Sequence, residues 1–343
     1  MKYSILLSLT LIYCSTNSFS QTNASAIQLI KKTIIGGDGG WDYVSVSEED
    51  RRIYISHATQ VEVYNIDTHT KIGVIENTKG VHGICAIPSI GKGYTTNGKA
   101  NTVSVFDIKT LKTIIELPVG DGPDALLYDE YSKQIFIFNN EGKTVSVIDI
   151  KTDKLVKTFE VGGSPEAGVT NDKGLIYVNL EDTNEIVVIE AKTLVVVKRF
   201  SLAPGSTPTG MAYSKKTNHL FSTCRKNSLM MVVDADNGTI ITQLPIGKGV
   251  DGAVFDATSS LAIASNSEGT FTVIKEISKN SYVVLDTIKT EPRARTIAID
   301  NKTKHLFTVT AQFGETPAAT KENPRPRAAI LSNTFMLLEY GIK

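Results

Sequence analysis

The chain has 343 residues, of which 41% are apolar and 21% charged, the composition of a folded globular protein and not of a disordered one. Lysine plus arginine and aspartate plus glutamate both number 36, so no net field draws the protein to nucleic acid or acidic lipid. Single-stranded nucleic acid in particular needs a basic groove with stacking aromatics, and the even balance speaks against it.

Read from the start, residues 1–20 have the pattern of a secretory leader. Lys2 supplies a positive start, residues 5–12 are mostly apolar but too few to span a bilayer, and Ser18-Phe19-Ser20 places small residues before Gln21. Tyr13 is too bulky for a lipoprotein site at Cys14, so residues 21–343 are expected as an exported monomer, periplasmic or extracellular, with no membrane span. Two cysteines remain, Cys85 and Cys224, and they fall in distant repeats, beyond disulfide reach.

The repeat dominates everything after the leader. Strand-opening aromatic or aliphatic residues recur at Tyr54, Tyr94, Phe136, Tyr177, Phe221, Ile263 and Phe307, 40 to 44 residues apart. Thirteen residues after the first five stand Asp67, Asp107, Asp149, Glu190 and Asp234. Repeat three shows four predicted strands, at 125–128, 134–138, 144–150 and 154–161, rich in β-branched and aromatic residues and separated by Asp129, Ser132, Asn140, Gly142 and Asp153. The pairs Asp67/Thr70, Asp107/Thr110 and Asp149/Thr152 suit hairpin turns in which the short side chain caps backbone N–H groups. No stretch keeps a 3.6-residue period, so helices are scarce.

A four-stranded sheet of this size cannot bury both faces alone, whereas seven packed radially cover one another. The expected fold is therefore all-β: one domain, a seven-bladed β-propeller of four-stranded blades. Repeat seven ends one strand short near 335–340, and residues 29–37 match the outer strand at 155–163, so the N-terminal stretch is expected to complete the last blade. Residues 314–333 break the period, with Pro317, Pro324 and Pro326 beside Lys321, Arg325 and Arg327. Proline there favours a stiff, extended excursion. It leaves from between the second and third strands and reads as a lid over the channel, a passive flap or a partner-docking loop.

Tyr94-Thr95-Thr96-Asn97, followed by Val103-Ser104-Val105-Phe106-Asp107, resembles the YVTN-type repeat of seven-bladed propellers. Val145-Ser146-Val147-Ile148-Asp149 and Gly163-Ser164-Pro165 repeat the pattern. The resemblance runs through the mature chain, which is similar to the YncE-like exported propellers. Lys275 replaces the repeat acid in blade six, and blade seven carries the insertion; neither departure touches the fold. The resemblance implies an exported propeller and identifies no reaction.

In a propeller the inner strands start, and the second strands end, on one face around the central channel. The inner positions are Asp42, His82, Asp124, Glu166, Thr209, Asp251 and Arg295. The second-strand ends are His57, Asn97, Asn139, Asn179, Cys224 and Asn266, with Glu181, Arg225, Glu268 and Gln312 just beyond. Purely structural repeats carry similar residues at equivalent positions, and the inner set instead mixes four carboxylates, an imidazole, a guanidinium and a hydroxyl. Crowded carboxylates gain proton affinity unless a cation compensates, so His82, Asp124 and Glu166 are candidates for acid–base work. Asp42, Asp124, Glu166 and Asp251 are candidate oxygen ligands for a divalent cation such as calcium or magnesium. Trp41 offers a stacking face, and Arg225 and Arg295 a bidentate grip on a carboxylate or phosphate. Solvated structure around a water-filled channel is the plainer reading of the same set.

No phosphate loop, His-Glu-x-x-His, Cys-x-x-Cys or Gly-x-Ser-x-Gly motif is present. Two functions of different class therefore fit: a binding protein that holds a small polar ligand or partner protein at the channel mouth, or a lactonase-like hydrolase or lyase using the carboxylate/His or metal site there. The second leans on the outline shared with lactonases and a metal-dependent lyase of lactone antibiotics, which is fold-level analogy.

Overall fold

The computed structural model describes residues 25–321, 323–324 and 326–343, so the expected leader and Arg325 lie outside the described residues. Seven four-stranded antiparallel sheets account for all the named strands, and two single-turn 3-10 segments are the only helix among the described residues. Blade three runs Pro123–Asp129, Gln134–Asn139, Thr144–Asp149 and Lys154–Glu160, each strand hydrogen-bonded to the next in chain order. Each inner strand packs against the inner strand of the next blade, and Ala298–Asp300 of blade seven packs against Val44–Ser47 of blade one. The ring is closed.

Burial explains why the repeat is written as it is. The second and third strands of each blade are covered on both faces, as in Gln134–Asn139, and so read as nearly unbroken apolar runs. Outer strands such as Lys154–Glu160 are largely exposed. Seven apolar clusters result, one at each blade interface: Phe136 and Phe138 of blade three, for example, meet Ile176 and Val178 of blade four.

Ile27–Ile34 pairs with Met336–Ile342 and supplies the outer strand of blade seven, as predicted. The seam is also held by side chains. Buried Glu339 receives His305 Nδ1 at 2.7 Å and His69 Nε2 at 3.0 Å, and His69 Nδ1 meets Thr33 Oγ1 at 2.6 Å. Burial works to raise the Glu339 carboxyl, but His69 and His305 override it and hold the group below its usual range. Arg51 of blade one adds a link to buried Asp300 of blade seven at 2.8 Å.

One turn differs from the sequence reading. Asp107 and Asp149 cap their hairpins as expected, accepting from the N–H and hydroxyl of Thr110 and Thr152. In blade one the cap is Asn65, which accepts from the N–H groups of Asp67 and Thr68. The reason is the preceding hairpin: His57 pairs with Gln60 across a two-residue loop, where Asn97 pairs with Thr102 across four. The strand register advances by two, and Asp67 is left to bind Arg51.

Candidate functional site

Each inner strand begins with a residue followed, toward the chain's C-terminus, by a small one: Gly83, Ala125, Ala167, Gly210, Gly252 and Thr296 follow His82, Asp124, Glu166, Thr209, Asp251 and Arg295. Neighbouring inner strands approach closely here; a Cβ on Gly210 would sit 2.7 Å from the carbonyl carbon of Gly252. A register irregularity falls at this point in blades two to six, and in all of these but blade five the first residue joins the cluster of charged side chains at the mouth. Blade one is the exception to the small residue. Tyr43 stands there, and its ring reaches across the channel to the apolar cluster between blades three and four. Tyr43 thus forms part of the floor of a cavity of about 800 Å³ at the mouth.

Asp42, Asp124, Glu166, Arg225, Asp251 and Arg295 on that wall connect with His82 and Glu181 beside it into one belt. Asp124 lies 3.3 Å from His82 Nδ1, which bonds Asp42 at 2.6 Å; Asp42 accepts from Arg295 at 3.2 Å; Arg295 and Arg225 both bind Asp251; and Arg225 lies 3.6 Å from Glu181. Glu166 closes the sequence, accepting from Asn140 Nδ2 at 3.2 Å, with Glu181 near enough for its charge to act on it. All seven blades contribute. Acids are in excess on the side of blades three and four, and protonation follows from that. Burial, then the charge of Asp42, raises Asp124 to about 7, with His82 opposing. Burial, then Asp124 and Glu181, raises Glu166 to about 10. Burial also raises Asp251 against the pull of Arg225 and Arg295. Burial works to lower His82, but the bond to Asp42 and the charge of Asp124 leave it raised.

Of the inner set, then, Asp42, His82, Asp124, Glu166, Asp251 and Arg295 come together, joined by Arg225 and Glu181. Thr209 does not: it is buried and donates to the Val250 carbonyl at 3.1 Å. The four proposed metal carboxylates do not form one donor set. Ligand atoms of Asp42 and Asp124 cluster instead with His82, all within 4.8 Å of one another, while Asp251 is occupied by two guanidiniums and Glu166 lies toward Asn140.

Most second-strand ends point into their own blades. Asn97, Asn139 and Asn266 are fully buried and donate to third-strand hydroxyls, as Asn139 Nδ2 does to Thr144 at 3.0 Å and Ser146 at 2.9 Å. Leu180 occupies the position equivalent to these, and Asn179, one residue earlier, donates to the Thr209 and Gly210 carbonyls. His57 is buried against Phe335, its ring centroid 4.4 Å away, and contacts Glu62 at 3.3 Å. Burial favours a raised Glu62 carboxyl, but His57, Lys71 and Gln60 hold it down at about 2. Cys224 is buried and free, as is the half-buried Cys85; burial pushes both thiols up to about 12. Glu268 and Gln312 are exposed and absent from the cavity wall. Trp41 does line it, stacked on Phe335 with centroids 5.3 Å apart.

The wall also holds residues outside the predicted set: Tyr43, Arg293, Phe313 and Arg327. Tyr43 was legible as the one large residue in a column of small ones. Phe313 and Arg327 come from the segment at the insertion, which bends over the mouth through a bridge between Phe313 and Ile330. An aperiodic segment gives no register from which to align them.

Among the described residues no helix is long and apolar enough to cross a membrane. A comparison with curated proteins finds no match. Residues 23–176 match the family model described as YNCE-like beta-propeller. The remaining blades repeat the same strand order round a closed seven-membered ring, so the chain is a seven-bladed β-propeller that is similar over residues 23–176 to the YNCE-like family.

Proposed function

We propose that this protein acts after export, as a monomer, by binding a small polar ligand in the cavity at the channel mouth. The observation that carries the reading is the set of acids and bases drawn from six of the seven blades onto one concave wall of about 800 Å³, a volume within the range of small-molecule sites. A framework that only closed a ring has no need of a half-buried Asp124 that raises the proton affinity of a buried Glu166. Trp41, the only tryptophan, lies in the wall and reports occupancy through its emission. A screen of small polar compounds by Trp41 emission should return hits that also raise the melting temperature, and Ser267→Phe, which crowds the cavity without adding a second tryptophan, should abolish both responses. Hits that stabilise the crowded variant equally, or a screen in which nothing perturbs Trp41, would sink the reading. A partner protein seated on the same mouth is the variant of this reading that pull-down from the exported fraction addresses.

A hydrolase or lyase is the second reading, favoured by the Asp42–His82–Asp124 trio. An imidazole with two carboxylate oxygens suits a borderline divalent cation such as zinc better than the calcium or magnesium expected from carboxylates alone, and without a metal a carboxyl near 7 beside His82 suits proton transfer at neutral pH. Metal analysis of purified protein, with melting curves with and without chelator, tests it. No bound metal and no lactone turnover would leave the binding reading alone.

A further inference from the structure

The charges of the cavity wall do not cancel locally. Arg225 and Arg295 are taken up by Asp251, Asp42 and Glu181. Arg293 and Arg327 line the same cavity higher up, toward the insertion, and neither forms an ion pair among the described residues. Arg293 lies over the Phe313 ring, 4.0 Å from its centroid, and its one hydrogen bond is a long one to the Ala328 carbonyl at 3.4 Å. The guanidinium face is thus fixed while most of its N–H edge stays unspent. Burial, then the like charges of Arg327 and Arg295, lowers its affinity for a proton, so the charges around it are positive ones. Trp41 Nε1 adds a buried donor without an acceptor. At the floor the deficit is reversed: Asp124 Oδ1 is buried and accepts no hydrogen bond, because His82 Nδ1 is directed at Asp42. The rim lacks acceptors and the floor lacks donors.

We propose that the rim is an oxyanion subsite: a ligand carboxylate or phosphate seats between Arg293 and Arg327, its apolar body lies against Trp41 and Phe313, and a hydrogen-bond-donating end points down to Asp124. The proposal rests on the cavity being a ligand site and specifies the class of ligand. Planar guanidiniums suit either oxyanion through paired N–H donors, the aromatic wall suits a flat or apolar middle, and an uncompensated buried acceptor is costly until a donor reaches it.

The test titrates the full chain with benzoate, phenyl phosphate, 4-(aminomethyl)benzoate, benzylamine and benzyl alcohol, following Trp41 emission. The anions should bind and the aminomethyl acid most tightly, since it also serves the floor. The better of benzoate and phenyl phosphate identifies the oxyanion. Arg327→Gln, at an exposed position, and Arg293→Gln should each weaken anion binding by about tenfold, with Arg293→Lys in between and the response to benzyl alcohol kept in all three. Anion affinities unchanged in Arg327→Gln and Arg293→Gln, or benzylamine binding better than benzoate, would overturn the subsite. In the second case the cavity reading survives, because a ligand still enters; it falls with the subsite only if every probe is silent.

Discussion

Two places in this ring gather titratable side chains from different blades, and they treat their carboxylates in opposite ways. At the seam between blades seven and one, Glu339 is buried, yet His69 and His305 contact both of its oxygens and its proton affinity is lowered. At the channel mouth Glu166 is buried and Asp124 largely so, but neighbouring acids outnumber the cations within reach, and both are raised. Burial is common to the two sites and cannot separate them. What separates them is whether the partners were supplied by the fold. A carboxylate whose partners are in place stabilises the closed ring, and one left without them marks where something from outside is expected.

Substitutions sharpen that contrast because they should have opposite signs. Glu339→Gln keeps the shape, removes the charge and leaves two histidines with one weak acceptor, so it should destabilise the protein by about 2–3 kcal/mol. Urea melts read this directly, and an unchanged midpoint would mean that the seam is held by strand pairing alone. Asp124→Asn removes a charge that the folded state disfavours and should stabilise the ligand-free protein at pH 8, on the order of 1–2 kcal/mol. A loss of that size instead would show that His82 already compensates Asp124, and the mouth would then resemble the seam.

The pH dependence follows with its sign. Asp124 binds a proton more tightly folded than unfolded, so its contribution makes stability fall as pH rises from about 4 to about 7. His82, raised as well, contributes stability at low pH that is lost as pH rises through its folded value. Glu339 acts the other way: its contribution is full above the ordinary carboxylate range and is lost as pH falls through its lowered value. Urea melts between pH 3 and 8 on the wild type and both variants should show the decline toward neutral pH flattened in Asp124→Asn. The acid-side loss should be reduced in Glu339→Gln. If both variants keep the parent profile, these groups are not what the pH dependence reports.

Fold and site were legible in the sequence to different depths, for a reason that the same comparison exposes. The repeat fixes which residues face the axis, because the inner strands share one register and Asp42, His82, Asp124, Glu166, Asp251 and Arg295 sit at equivalent places in it. The clasp of residues 27–34 was readable from its likeness to another outer strand. The second-strand ends misled, since a residue at the mouth end of a strand can point along the channel or into the blade. Asn97, Asn139 and Asn266 take the second course because the serine or threonine opposite offers them an acceptor. Nothing repetitive announces Arg293, Phe313 or Arg327, and pairing at the seam depends on the side chains of Thr33 and His69, whose meeting with Glu339 the repeat does not announce.

The milder substitutions probe that boundary between the wall and the blades behind it. Asn139→Ala removes two buried hydrogen bonds and should lower stability by about 1–2 kcal/mol while leaving the Trp41 response to benzoate unchanged. A shift in that response would bring the second-strand ends back into the site. Smallest of all should be Glu268→Gln and Gln312→Ala. Both side chains are exposed and lie off the cavity wall, so melting temperature and benzoate affinity should match the parent within error. Glu268 receives only the Thr270 hydroxyl at 3.2 Å, a contact that water replaces. A clear loss of affinity in either variant would mean that the ligand extends past the belt onto the outer loops, and the contact surface would then be that of a partner protein and not of a small molecule.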